Sequence, residues 1–136
     1  MTEFDVVHKP KHYNSHPSGI EAKDVTRNFD FPIGNALKYI WRAGNKGDYW
    51  EDMNKALEYL NWAISDHHPN EAIYCRKPAV VAIHMQEVIK YETDPNKQKL
   101  FGSFVDMIVN PEELKTLRNN LKEIIKDHES SNLGKN

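Results

Sequence analysis

An all-α fold is the class this sequence predicts, and three observations predict it. Apolar residues recur at three- and four-residue spacing along most of the chain. Helix-start signals stand directly before those stretches: Asp48 with Glu51 three residues on, Asp94-Pro95, and Asn110-Pro111. The central connection, Gly44-Asn45-Lys46-Gly47, is short enough to make its two helices antiparallel neighbours. The expected architecture is one compact helical domain over residues 1–129, built on an antiparallel pair at about 33–43 and 49–65. An ordered loop precedes the pair, a helical second half occupies 79–128, and 130–136 reads as a disordered tail.

Residues 1–20 read as a loop, because Pro10 and Pro17 break helix while Asn14, Ser15, Ser18 and Gly19 favour turns. Glu21 to Phe29 reads as a short helix with Ala22, Val25 and Phe29 on one side, broken by Asp30-Phe31-Pro32. In the first helix of the pair, Ile33, Leu37, Ile40 and Trp41 form the core face. Asp48 caps the second, which buries Met53, Leu57, Leu60 and Ile64 and ends at His67-His68-Pro69. Residues 79–91 begin apolar and β-branched, so strand competes there. Helix is favoured by the spacing of Val81, His84/Met85, Val88 and Tyr91. A further helix from Asp94-Pro95 buries Leu100, Phe104, Met107 and Ile108. The last, from Asn110-Pro111, buries Leu114, Leu117, Leu121, Ile124 and Ile125, an apolar stripe strong enough to support a homo-oligomer, although packing within the same domain is the plainer use.

The 136 residues, 39% hydrophobic and 28% charged, are those of a soluble globular protein. A formal net charge of −2 does not point to nucleic acid, so such a partner is not expected and would need a local basic patch. No membrane span or signal peptide is visible. The single cysteine, Cys75, excludes an internal disulfide and fits a reducing cytoplasm; beside Arg76 and Lys77 it reads as incidental rather than nucleophilic.

Chemistry is concentrated on the helix pair. Asn35, Lys38 and Arg42 share one face of the first helix. Lys46 sits in the turn, and the second helix can direct Asp52, Lys55 and Tyr59 at its neighbour. Four basic groups, Lys38, Arg42, Lys46 and Lys55, thus converge with Asp52 among them. Such a cluster suits phosphate: arginine offers a bidentate fork and lysine a point charge. His8, His12 and His16 are four apart, but Pro10 interrupts any helix that would align them, and no cysteine set or His-Glu-x-x-His accompanies them; no metal site is assigned. His12 and Tyr13 are better placed to close over the pair, imidazole to phosphate and phenol ring to base.

The order of these residues resembles a small family of phage-encoded proteins long listed as of unknown function. The shared pattern is HY…GIE…GNAxKYIxRAGxKG…EDxxKAxxYL, carried here from His12-Tyr13 through Gly34-Asn35-Ala36, Lys38-Tyr39-Ile40 and Arg42-Ala43-Gly44 to Glu51-Asp52, Lys55-Ala56 and Tyr59-Leu60, within residues 8–64. One branch of that family includes a nucleotide kinase that phosphorylates deoxynucleoside monophosphates without a P-loop. The resemblance implies a deoxynucleotide partner and a cytoplasmic setting in an infected host cell. It implies His12, Lys38 and Arg42 as catalytic residues, and Tyr13, Asn35, Lys38, Tyr39, Arg42, Lys46, Asp52 and Lys55 as substrate-binding ones. A nucleoside triphosphate would be the phosphate donor, with magnesium left open. No GxxxxGK[ST] loop is present, and Glu51, Asp52 and Glu58 are too few carboxylates for a two-metal pyrophosphohydrolase. A protein that sequesters nucleotides or nucleotide signals would use the same pocket. A helix-turn-helix interaction module is the third reading, and a solvated face salt-bridged to Glu51 and Asp52 is the plainest.

Overall fold

The computed structural model describes residues 16–68 and 70–134. Among them, six helices follow one another: α1 (Ala22–Thr26), α2 (Phe31–Arg42), α3 (Tyr49–Asp66), α4 (Pro78–Tyr91), α5 (Pro95–Val109) and α6 (Glu113–Gly134). The all-α expectation is met, and residues 79–91 resolve as helix. Side-chain caps start three of these helices. An Asp30 oxygen accepts from the Ile33 amide at 3.3 Å. Asp48 accepts from Trp50 and Glu51 at 2.8 and 3.1 Å, and Asp94 from Asn96 at 2.9 Å. Asn110 accepts from the Glu112 amide at 3.1 Å, so Pro111 and Glu112 form a turn ahead of α6 rather than its first residues.

Two boundaries differ from expectation. The first helix stops at Thr26, because the Asn28 side chain donates to the carbonyls of Asp24 and Val25 at 2.9 and 3.2 Å and satisfies the helix end early. Phe29 remains buried and forms an isolated bridge with Cys75. At the other end, the disordered tail expected from residue 130 is corrected: α6 continues through Gly134. His128 stacks on Trp50 with ring centroids 3.9 Å apart and meets the Asn132 side chain at 3.1 Å, which ties the last turns to the start of α3.

The α2–α3 pair makes the most extensive helix contact, with α6 on α3 and α5, and α4 on α5. The core joins Leu37 and Ile40 of α2 and Met53 and Leu60 of α3 to Met85, Leu100, Phe104, Leu117 and Leu121 of the later helices. Of the apolar residues expected inside, Leu57, Ile64, Ile108 and Ile124 are only partly buried, and Tyr91 is exposed. Trp41 on Phe101 and Phe29 on Phe104, with centroids 5.5 and 6.4 Å apart, join the two halves.

A second, polar seam accompanies the apolar one. It runs through residues 92–97, the connection after α4 and the first turn of α5. Glu92 pairs with the His16 ring at 3.0 Å, and the Tyr49 hydroxyl donates to Asp94 at 2.6 Å. Lys97 is buried and donates to the Trp41 carbonyl at 2.9 Å. That carbonyl lies in the last turn of α2, where a cation also favours the helix dipole. Burial pushes the Lys97 ammonium below its usual range, opposed by the nearby carboxylates of Glu92, Asp94 and Asp52.

Gly34 is required by close approach: a Cβ there would lie 2.8 Å from the Thr26 carbonyl oxygen, a backbone atom that cannot swing away. Gly34→Ala is expected to destabilise the fold by about 1–3 kcal/mol, measured by urea unfolding. Burial, then the Asp94 hydrogen bond, holds the Tyr49 phenol above its usual 10.0. The folded state therefore keeps this proton longer than the unfolded chain. The stabilisation is complete below pH 10 and is lost as pH rises beyond it. Tyr49→Phe is expected to lose about 1.5–3 kcal/mol at pH 7 and to show a shallower alkaline decline than wild type in thermal melts.

Candidate functional site

Helical periodicity gives α2 and α3 facing rows of polar and aromatic side chains. On α2, residues 35, 38, 39 and 42 lie on one side; on α3, residues 52, 55, 59 and 62 do the same. The rows meet at the ring of Tyr39. Lys38 Nζ lies 5.7 Å from its centroid, Arg42 Cζ 5.3 Å and Lys55 Nζ 5.6 Å. Three cations around one ring repel each other. The electron-rich ring face offsets part of that, by roughly 0.5–1 kcal/mol per exposed contact.

Carboxylates offset the rest. Glu51 pairs with Lys55 at 3.5 Å on the outside. Asp52 lies underneath, with its side chain 5% exposed, and its Oδ2 is 3.6 Å from Arg42 Nε. That distance is an ion pair but exceeds a hydrogen bond. Both atoms are buried, and neither makes a hydrogen bond among the described residues. Arg42 is itself 39% exposed, so part of its side chain reaches the surface. Asp52 also acts electrostatically on Lys97, which connects the site to the seam from the second half.

From Tyr39 a shelf of rings extends along α3. Tyr59 stacks on Tyr39 at 5.7 Å and 14°, and Trp62 on Tyr59 at 5.9 Å and 21°. Phe31, from the start of α2, stands 5.9 Å from Tyr59 and 5.5 Å from Trp62. Phe31 is 61% exposed and Trp62 46%. The Trp62 indole donates to Asp66 at 2.6 Å. The shelf therefore has a cationic end at Tyr39 and an acidic end at Asp66 and Asp30.

Of the residues expected at the site, Lys38, Tyr39, Arg42, Asp52 and Lys55 come together. Asn35 lies on the same face of α2, but its amide nitrogen donates back to the Phe31 carbonyl at 2.7 Å. Lys46 sits in the exposed connection between α2 and α3. His12 and Tyr13, together with His8, lie outside the described residues. His16, the remaining member of that histidine series, binds Glu92 and Ser18 at 3.0 and 2.8 Å. Burial raises the Cys75 thiol, the opposite of what a nucleophile needs. Among the described residues no group of three or more His, Cys, Asp or Glu could hold a metal ion, and no helix is long and apolar enough to cross a membrane.

Sequence reasoning missed Phe31, Trp62 and Lys97. Tyr59 and Trp62 at i and i+3, level with Tyr39 on the partner helix, were the signal for the shelf. For Lys97 the signal was a cation in the first turn of α5, where the helix dipole disfavours it unless something else holds it. The cleft lined by Asp30, Asp66, Glu71 and Tyr74, about 100 Å³, lies at the acidic end and not on the cations.

A family model described as a protein of unknown function, DUF3310, matches residues 7–61. The matched stretch thus covers α1, α2 and most of α3 and stops before α4. No curated protein and no solved structure matches the chain.

The buried carboxylate predicts a specific response. Arg42→Ala leaves Asp52 without its ion-pair partner and is expected to destabilise the protein by about 1–3 kcal/mol. Adding Asp52→Asn should restore most of that loss in urea unfolding. Equal losses in the single and double variants would show that the pair is not coupled.

Proposed function

We propose that this chain binds nucleotides at the Tyr39 face of the α2–α3 pair and acts on deoxynucleoside monophosphates as a P-loop-less phosphotransferase of the phage type its motif resembles. The observation that carries the reading is the meeting of Lys38, Arg42 and Lys55 at one ring. Cations held this close by an aromatic face and a buried carboxylate are preorganised for an anion that carries more than one negative charge. Beyond Tyr59, the Trp62 ring at the end of the stack is 46% exposed and offers an aromatic surface for a base.

For phosphoryl transfer, an oxygen of the monophosphate attacks the γ-phosphorus of a nucleoside triphosphate. The bond from that phosphorus to the β–γ bridging oxygen breaks, and two diphosphates result. The chain's contribution is to hold both phosphate groups and neutralise charge on the transferring oxygens, without a covalent intermediate. Arg42, half-covered and backed by Asp52, would serve as the fixed fork; Lys38 and Lys55 would follow the moving charge.

The test uses variants that spare the Arg42–Asp52 pair. The purified protein is incubated with dTMP or dGMP and the matching triphosphate, with and without magnesium, and the nucleotides are separated by ion-exchange chromatography. New diphosphate is expected, reduced at least about tenfold in Lys38→Gln/Lys55→Gln. Nucleotides that remain unchanged but co-elute with the wild-type protein would replace transfer with sequestration. Neither product nor co-elution would overturn the nucleotide reading.

A further inference from the structure

Helix α4 is apolar on more sides than its place in the fold requires. Val81, Met85 and Val88 are buried against the domain. Away from them, Val80 is 46% exposed and Ile83 64%, with Ala79 exposed beside them. A helix with apolar residues on two faces belongs between two layers, yet this one packs mainly on α5 and, less, on α1. The apolar stripe of α6 that the sequence offers for a homo-oligomer lies inside the domain instead, with Leu114, Leu117 and Leu121 buried.

Charge is arranged along the same face. Arg76 and Lys77 are exposed immediately before α4, and Glu87 is exposed one turn beyond Ile83. Cations at the start of a helix are disfavoured by its dipole unless something else holds them. Among the described residues Arg76, Lys77 and Glu87 make no ion pair. One arrangement answers both the apolar and the charged features. In an antiparallel pairing of two copies of α4 about a two-fold axis between Val80 and Ile83, Val80 of each copy meets Ile83 of the other. The same register sets Arg76 of each copy opposite Glu87 of the other, on both sides of the apolar centre. A parallel pairing would instead set Glu87 against Glu87 and Arg76 against Arg76.

We infer that the outer face of α4 binds a second copy of this chain, as an antiparallel two-fold dimer with Val80 and Ile83 at its centre and Arg76–Glu87 pairs flanking them. The inference does not rest on the nucleotide reading. Residues 78–91 lie outside the family-matched stretch of 7–61, so this surface is separate from the Tyr39 face. A helix of 14 residues offers a contact about 21 Å long. That is at the low end of interface sizes, and a reversible dimer with a dissociation constant of about 10–100 µM is expected.

The experiment is sedimentation velocity of the full chain from about 2 to 300 µM, on wild type, Ile83→Glu, Glu87→Arg and the charge swap Arg76→Glu/Glu87→Arg. All three positions are exposed, and circular dichroism melts check that each variant is folded. The wild type is expected to pass reversibly from monomer to dimer as concentration rises. Ile83→Glu should weaken the dimer at least about tenfold, and Glu87→Arg, which sets like charges opposite Arg76, at least about threefold. The charge swap should return the dissociation constant to within about twofold of wild type. A wild-type chain that stays monomeric throughout would overturn the inference, as would a dimer indifferent to Ile83→Glu. A Glu87→Arg dimer as tight as wild type, or a charge swap no tighter than Glu87→Arg alone, would overturn the antiparallel register.

Discussion

The carboxylate of Asp52 is the constraint on which the candidate site depends. It is buried between the two helices most closely packed together, and a buried charge must be compensated. Arg42 supplies that compensation from α2 and Lys97 contributes from α5. Arg42, held there, flanks Tyr39, and Tyr39 gathers Lys38 and Lys55 on the same ring. Arg42 is thus placed by the acidic group beneath it, while Lys55 pairs with Glu51 on the outside.

The second half of the chain acquires a role from the same geometry. Residues 92–97 reach back to His16, Tyr49 and the Trp41 carbonyl, and α5 presses Phe101 against Trp41. These contacts fix the end of α2 and the start of α3, which are the two ends of the loop that carries Lys46. The matched family stretch stops within α3, so the groups that brace it come from outside that stretch. Lys97 bears the electrostatic cost of that arrangement, since burial lowers its proton affinity while three carboxylates sustain it.

Much of this was legible from local chemistry. Asp48 before a periodic run gave the start of α3, and the spacing of Ile33, Leu37 and Ile40 gave the buried face of α2; both depend on near neighbours in sequence. The grouping of Lys38, Arg42, Asp52 and Lys55 followed from two helical periods and a short turn. What was not legible depends on distant partners. Lys97 is held by a carbonyl 56 residues away and by the Asp52 charge on α3, and α6 is seated through Gly134 by a stack between His128 and Trp50. The early end of α1 turned on one side chain, Asn28, whose preference for helix ends is shared with many turns. The ring shelf was hidden because its members alternate between two helices.

The central claim is that the Tyr39 face is the ligand-binding surface, and its most direct test is a ¹H–¹⁵N NMR titration of the whole chain with dTMP. Saturable shift changes centred on residues 38–42 and 52–59, with smaller ones at Lys97 through its contact with the end of α2, are the predicted result. Changes centred instead on the Asp66–Tyr74 cleft or on the exposed side of α4, or none at millimolar ligand, would contradict it.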